Sequence, residues 1–188
     1  MEIQKEISSK IDSKKPIKIN NMLPTVIIEN FFKNVDEIIS LSKKLKFTAP
    51  TSVENWPGLR TESLHHNHHD LFNNIIGKIL SNYFPNTKIN FSNSSIFFHK
   101  FKPGDYVKTH FHYDKNFEIA AVIYLSFGNI ETGTTLFNKK REKQIIMGND
   151  FNTGICYDGR KYHGVSTLNL KKERLTLNIF IKNIKILS

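Results

Sequence analysis

The sequence predicts an α+β fold in which two N-terminal helices pack on an antiparallel double-sheet barrel of jelly-roll type. Two observations predict it. Up to about residue 88, apolar residues recur at helical spacing in two segments; after it, short apolar or alternating runs follow one another, separated by the turn signals PG, GN, TG, GND and DG. A chain of 188 residues is long enough for one domain with a sizeable core. The expected organisation is a flexible lead-in over 1–20, low in aromatics and broken by Pro16, ahead of a single domain over 21–188.

TVIIENFF (25–32) has the β-branched and aromatic content of a strand. In NVDEIISLSKKLKF, Val35, Ile38, Ile39, Leu41 and Leu45 fall close to helical spacing, with Asn34 as N-cap and acidic residues in the first turn. ENWPGLRTES (54–63) is a turn-rich connector, and HDLFNNIIGKILSNYF (69–84) is a second helix that ends before Pro85. About eight strands follow: SIFFHKF, DYVKTHFHYD, EIAAVIYLSF, TTLFN, KQIIM, TGICYD, HGVSTLN and ERLTLNIFIKNI.

A net charge of +10 raises the question of nucleic acid, because clustered cations bind phosphates by releasing counterions. The excess here is almost all lysine, spread over the chain among many Asn and Ile, which reads as compositional bias, so neither nucleic acid nor membrane is an expected partner. Only Arg60, Arg141, Arg160 and Arg174 are arginines, and an arginine kept in so lysine-rich a chain points to use of its planar fork. The first 20 residues lack the apolar run of a secretion signal or membrane span, so a soluble, cytoplasmic protein is expected. The single cysteine, Cys156 in GICY, forms no internal disulfide and reads as a small buried hydrophobe.

THFHYD (109–114) puts two histidines and an aspartate into six positions. On a strand, side chains two apart share a face, so His112 and Asp114 can converge on one ion. A third ligand must come from elsewhere, and His163 in DGRKYHGV is the best candidate. Two imidazoles and one carboxylate form the facial triad that suits non-heme Fe(II) and leaves coordination positions open. His110 shares the face and could pair with His112 instead; His112 with Asp114 is preferred because only that choice supplies the carboxylate. Eleven residues beyond His163 lies Arg174, which shares a strand face with Thr176 and Asn178; a guanidinium inside a barrel is expensive unless it meets a carboxylate.

The ordered set, HxD, then a distal His, then Arg-x-Thr about ten residues on, resembles the 2-oxoglutarate and Fe(II)-dependent oxygenase superfamily, and within it the small prolyl-hydroxylase-like branch. FHKFKPGDYVKTHFHYD looks like that branch's approach to the HxD, IYLS like the strand that carries a tyrosine, HGV like the distal His, and TVIIENFFKNVDEIISL like the opening strand and helix. The resemblance covers roughly residues 24 to 186 and implies a double-stranded β-helix of cupin-like type. It implies that His112, Asp114 and His163 bind iron, and that Arg174, helped by Tyr124 and Thr176, holds the distal carboxylate of 2-oxoglutarate. It also implies a dioxygenase that decarboxylates 2-oxoglutarate to succinate and CO2, with O2 as co-substrate and ascorbate as possible reductant. A C–H bond of a peptide, protein side chain or small molecule would be hydroxylated.

Other features have blander readings beside sharper ones. In HHNHHD (65–70), His65 and His69 at i, i+4 could clamp zinc, but a solvated helix start at a pocket rim is preferred. His99 reads as a satisfied strand histidine, and Lys139, Lys140, Arg141 and Lys143 as a solvated turn. Trp56 and Arg60 are either a packed turn with a solvated Arg or part of a substrate lid. Two competing functions stay open: an AlkB-like nucleic-acid demethylase, disfavoured because Arg174, Thr176, Asn178 and Phe180 swap the polar pair and lack the last arginine of Arg-x-Asn-x-Thr-x-Arg, and a non-catalytic jelly-roll module with a structural metal.

Overall fold

The computed structural model describes residues 21–51, 56–107, 113–114, 116–165 and 168–187. The lead-in over 1–20, His110 and His112 lie outside the described residues. In chain order the elements are β1 (Val26–Ile28), α1 (Val35–Lys44), β2 (Leu59–Arg60), α2 (His69–Tyr83), β3 (Lys88–Asn90), β4 (Ser95–Phe101), β5 (Tyr106–Val107), β6 (Ile119–Tyr124), β7 (Thr134–Phe137), β8 (Lys143–Met147), β9 (Gly154–Asp158), β10 (Tyr162–Gly164), β11 (Leu168–Asn169), β12 (Arg174–Ile181) and β13 (Lys185–Leu187). The molecule is thus mostly antiparallel sheet with two helices. TVIIENFF and about eight later strands were expected; the described residues hold thirteen, because HGVSTLN divides into β10 and β11 and because β2, β3 and β13 are two- or three-residue pairings too short to carry a pattern.

Six strands form one antiparallel sheet in the order β1-β9-β6-β12-β4-β2, and three form a smaller one, β10-β7-β8. Alternation along β12 divides the large sheet's two faces. Leu175, Leu177, Ile179 and Ile181 join Ile96, Phe98, Ile119, Ile123 and Cys156 in a core that also takes Phe72, Ile75, Ile76, Ile79 and Leu80 of α2. Full burial of each such side chain contributes about 1.5–3 kcal/mol. Arg174, Thr176, Asn178 and Phe180 alternate with those leucines and isoleucines, and the register sets them opposite Phe101, His99, Phe97 and Ser95 of β4. On this second face Ala120, Tyr124, Ile155 and Tyr157 pack with Leu136 and Met147, so the small sheet covers its β6–β9 side.

Local details explain the helices. Asn34 sits at the N-cap of α1, but its side chain reaches Glu37 Oε1 at 3.1 Å rather than a backbone N–H, leaving Asp36 and Glu37 to favour that terminus by charge. The second helix begins at His69, so His65 precedes it in a turn and the helical zinc clamp is lost; His65 instead bonds Ser63 Oγ at 2.9 Å, with its ring tilted against that of His66 at 3.8 Å between centres. Lys139 to Lys143 are exposed, as a solvated turn requires.

Cys156 is buried on the helix side of the large sheet, and desolvation pushes its thiol up to about 12. At pH 8 only about one molecule in 10⁴ then carries the reactive thiolate. Iodoacetamide is expected to leave native protein unmodified at pH 8 and to label it fully once denatured, as mass spectrometry would read. No helix among the described residues is long and apolar enough to cross a membrane.

Candidate metal and co-substrate site

The second face of the large sheet, where the small sheet lies over it, gathers the chemistry. His163 is buried in β10 and opposes Leu136 of β7. Its Nδ1 faces Lys161 O at 3.0 Å; a carbonyl only accepts, so Nδ1 carries the proton and Nε2 presents its lone pair. That Nε2 lies 3.3 Å from Asp114 Oδ2.

Asp114 was expected on a strand beside His112. It is instead in a loop: its N–H donates to Gly159 O at 2.7 Å, and its own carbonyl accepts from Phe117 N–H at 2.8 Å. The turn that supplies Gly159 O is fixed by Asp158, which is fully buried and bound to Arg160 at 2.6 Å and to Leu23 N–H at 2.8 Å. Burial alone would raise the Asp158 carboxyl, but hydrogen bonds from Arg160 and Leu23 outweigh it and hold the group below its ordinary value. Gly159 is needed for a close approach, because a Cβ there would stand 2.4 Å from Phe117 O and 3.0 Å from Asp114 O. Gly159→Ala is therefore expected to displace the Asp114 loop while far-UV circular dichroism stays unchanged; with Asp114 as the ligand that the sequence leads one to expect, Mn(II) affinity should weaken about 10-fold in calorimetry, the usual scale for loss of support behind a ligand.

Asp114 Oδ2 is buried and has no hydrogen-bond partner among the described residues. Two adjacent ligands of one ion, each bound at about 2.1 Å, stand about 3 Å apart, so an aspartate oxygen facing an imidazole nitrogen at 3.3 Å fits shared coordination. Among the described residues no third His, Cys, Asp or Glu completes the group, and His112 is outside them.

A second group is built round Arg174. Its guanidinium is buried, its Nε donates to Thr132 O at 2.6 Å, and it lies 5.7 Å from the ring centres of both Phe101 and Tyr124. No carboxylate pairs with it among the described residues. Burial pulls its basicity down, while Tyr124 and Tyr157 oppose that shift; the group stays charged regardless. A buried, unbalanced guanidinium is costly and favours an anionic ligand with two oxygens. A cavity of about 420 Å³ reaches Arg174 between Phe127, Thr132 and Asn149, with Lys171 and Lys172 but also Glu131 and Glu173 in its wall, so that the buried guanidinium itself is what would attract an anion.

Tyr124 is buried with its hydroxyl on Thr134 Oγ1 at 2.7 Å, whereas Thr176 Oγ1 donates to Asn178 Oδ1 at 2.9 Å. Sequence reasoning missed Tyr157. This fully enclosed ring packs 4.8 Å from the His163 ring; burial first, then Asp114 and Tyr124, hold its phenol well above the usual value, so it stays neutral. The signal was available: in GICYD, Ile155 and Tyr157 alternate onto the same face as Tyr124. The connector differs from its bland reading too, since Arg60 is half-buried in β2, opposite His99, with its guanidinium 4.7 Å over the Trp56 ring.

The profile of one protein family, described as a family of unknown function (DUF6445), matches residues 13–154. The chain belongs to DUF6445. No curated protein matches this DUF6445 chain. Solved structures do. An oxidoreductase of the 2OG-Fe(II) oxygenase family from Burkholderia pseudomallei is 15% identical, with a TM-score of 0.63 over 84% of each chain. A prolyl hydroxylase from Trichoplax adhaerens, in complex with a hypoxia inducible factor oxygen degradation domain peptide fragment, is 11% identical, with a TM-score of 0.59 over 84% of this chain and 83% of that one. HygX from Streptomyces hygroscopicus, with nickel and 2-oxoglutarate bound, is 9% identical, with a TM-score of 0.61 over 84% and 82%. The DUF6445 chain therefore has the fold of the 2-oxoglutarate and Fe(II)-dependent oxygenases, prolyl hydroxylases among them.

Proposed function

We propose that this DUF6445 protein is a 2-oxoglutarate- and Fe(II)-dependent dioxygenase, its domain over 21–188 a double-stranded β-helix with the helices packed on the larger sheet. His112, Asp114 and His163 would hold the iron. Arg174, with Tyr124 and Thr176 beside it, would hold the co-substrate. The carrying observation is that two incomplete groups lie around the buried Tyr157 ring: a buried aspartate oxygen without a hydrogen-bond partner among the described residues facing His163 Nε2 at 3.3 Å, and a buried guanidinium without a carboxylate among the described residues.

Iron bound there would supply dioxygen activation coupled to decarboxylation of 2-oxoglutarate to succinate and CO2, ending in hydroxylation of a C–H bond in a peptide, protein side chain or small molecule. The chain's own residues do the positioning. Lys161 O fixes the His163 tautomer, leaving Nε2 as the ligand atom. Gly159 O holds the Asp114 backbone. The buried, neutral ring of Tyr157 packs against His163 and fixes that ring's position. A fork at Arg174 accepts one carboxylate bidentately and so sets the orientation of a keto acid.

The test is succinate formation from 2-oxoglutarate by iron-loaded protein under air, with ascorbate keeping the iron reduced. Slow, iron-dependent succinate release without added substrate is expected. Absence of 2-oxoglutarate binding to the Mn(II)-loaded protein in calorimetry would overturn the assignment.

A further inference from the structure

One chain of hydrogen bonds crosses the second face of the large sheet and leaves the site. Thr176 Oγ1 donates to Asn178 Oδ1 at 2.9 Å, Asn178 Nδ2 meets His99 Nδ1 at 3.1 Å, and His99 Nε2 meets Pro57 O at 2.5 Å. All three side chains sit on neighbouring strands, with Thr176 opposite His99 in the β12–β4 register. The polarity of the whole chain follows from its last link. Pro57 O can only accept, so His99 carries its proton on Nε2 and, as a neutral ring, accepts at Nδ1. Asn178 must then offer its N–H to His99 and its oxygen to Thr176, which commits the threonine's only hydroxyl proton. Every donor points outward, from Thr176 to the connector, and donors aligned in one direction reinforce one another.

The connector is seated where this chain ends. Trp56 meets the His99 ring edge-on at 6.3 Å, and Arg60 stacks on Trp56 and on Phe97. Gly58 has a φ of +82°, and a Cβ there would come within 2.7 Å of Lys100 O and 3.0 Å of His99 Nε2. The connector backbone is thus pressed against β4, held by His99.

We propose that His99 is a positioning residue that couples the Trp56–Arg60 connector to the co-substrate end at Thr176, and that it fixes Thr176 as an acceptor rather than a donor towards the co-substrate. The coupling rests on the oxygenase reading; the seating of the connector does not. It follows that Thr176 lines the co-substrate's seat beside Arg174 without donating a hydrogen bond to its carboxylate, and that co-substrate binding is felt at Trp56, the chain's single tryptophan.

Two substitutions divide the relay. His99→Asn places an acceptor near the former Nδ1 and keeps Asn178 satisfied, but falls short of Pro57 O. His99→Gln reaches Pro57 O and loses the acceptor for Asn178. In ligand-free protein, acrylamide quenching of Trp56 fluorescence is expected to rise towards the denatured value in His99→Asn and to stay near wild type in His99→Gln. In Mn(II)-loaded protein, 2-oxoglutarate is expected to change Trp56 emission in wild type; both variants should lose that response while still binding, with affinity lowered about 2- to 30-fold, the range for residues that transmit coupling. Wild-type quenching in His99→Asn, or an intact emission response in both variants, would overturn the proposal. A wild-type protein that binds no 2-oxoglutarate would sink the oxygenase reading and the coupling with it, and the quenching comparison alone would then decide whether His99 seats the connector.

Discussion

Arg174→Leu is expected to lower 2-oxoglutarate affinity by at least about 100-fold, since two charge-assisted hydrogen bonds of about 1.5–3 kcal/mol each are lost together. Mn(II) affinity should stay within about twofold, because the guanidinium bonds Thr132 O rather than Asp114 or His163 and independent sites do not couple. The same substitution should scarcely weaken the fold. Arg174 is buried and meets only Thr132 O and two aromatic rings among the described residues, so its desolvation is not repaid in the empty protein, and an apolar replacement of a buried charge is often neutral or stabilising. A melting temperature within about 3 °C of wild type is expected. Arg174→Lys keeps the charge and loses the fork, and should recover only part of the affinity. Calorimetry beside thermal denaturation reads all three quantities; a large fall in stability with unchanged binding would mean that the arginine is structural.

Asp114→Ala has the second largest expected effect. In wild type, Mn(II) at about 100 times its dissociation constant should stabilise the folded chain by about 2.7 kcal/mol through preferential binding. The variant should show none of that stabilisation at the same Mn(II) concentration. Its ligand-free stability should match or exceed wild type, because the substitution removes a buried carboxylate oxygen that has no hydrogen-bond partner among the described residues. His163→Ala should also lose metal stabilisation, but at a cost to ligand-free stability, since its ring packs on Tyr157 and bonds Lys161 O. A Mn(II)-induced shift in Asp114→Ala equal to that of wild type would remove the aspartate from the site.

Much of this was legible in the chain because its patterns are periodic. SIFFHKF is β4 to the residue, and the apolar spacing in HDLFNNIIGKILSNY gives α2 with the boundary before Pro85. Alternation along β12 correctly separates Arg174, Thr176 and Asn178 from the leucines that face the helices. Patterns failed where tertiary contacts decide. Asp114 leaves the strand because Gly159 O captures its N–H, a contact across 45 positions of sequence that no local rule encodes. His65 and His69 lie at helical spacing, yet the helix starts only at His69. Of the two readings of Trp56 and Arg60, the packed turn fails in its solvated arginine, because β2 pairing with β4 turns Arg60 onto Trp56. Alternation in GICYD sets Tyr157 on the face of Tyr124, but an aromatic on a buried strand is ordinarily core, and its ring contact with His163 is a tertiary fact.

The most direct test is a crystal structure with Mn(II) and 2-oxoglutarate bound. One ion ligated by His112, Asp114 and His163, with the far carboxylate of the keto acid on the Arg174 guanidinium, is the expected result. Manganese bound elsewhere, or a keto acid that does not touch Arg174, would contradict the assignment.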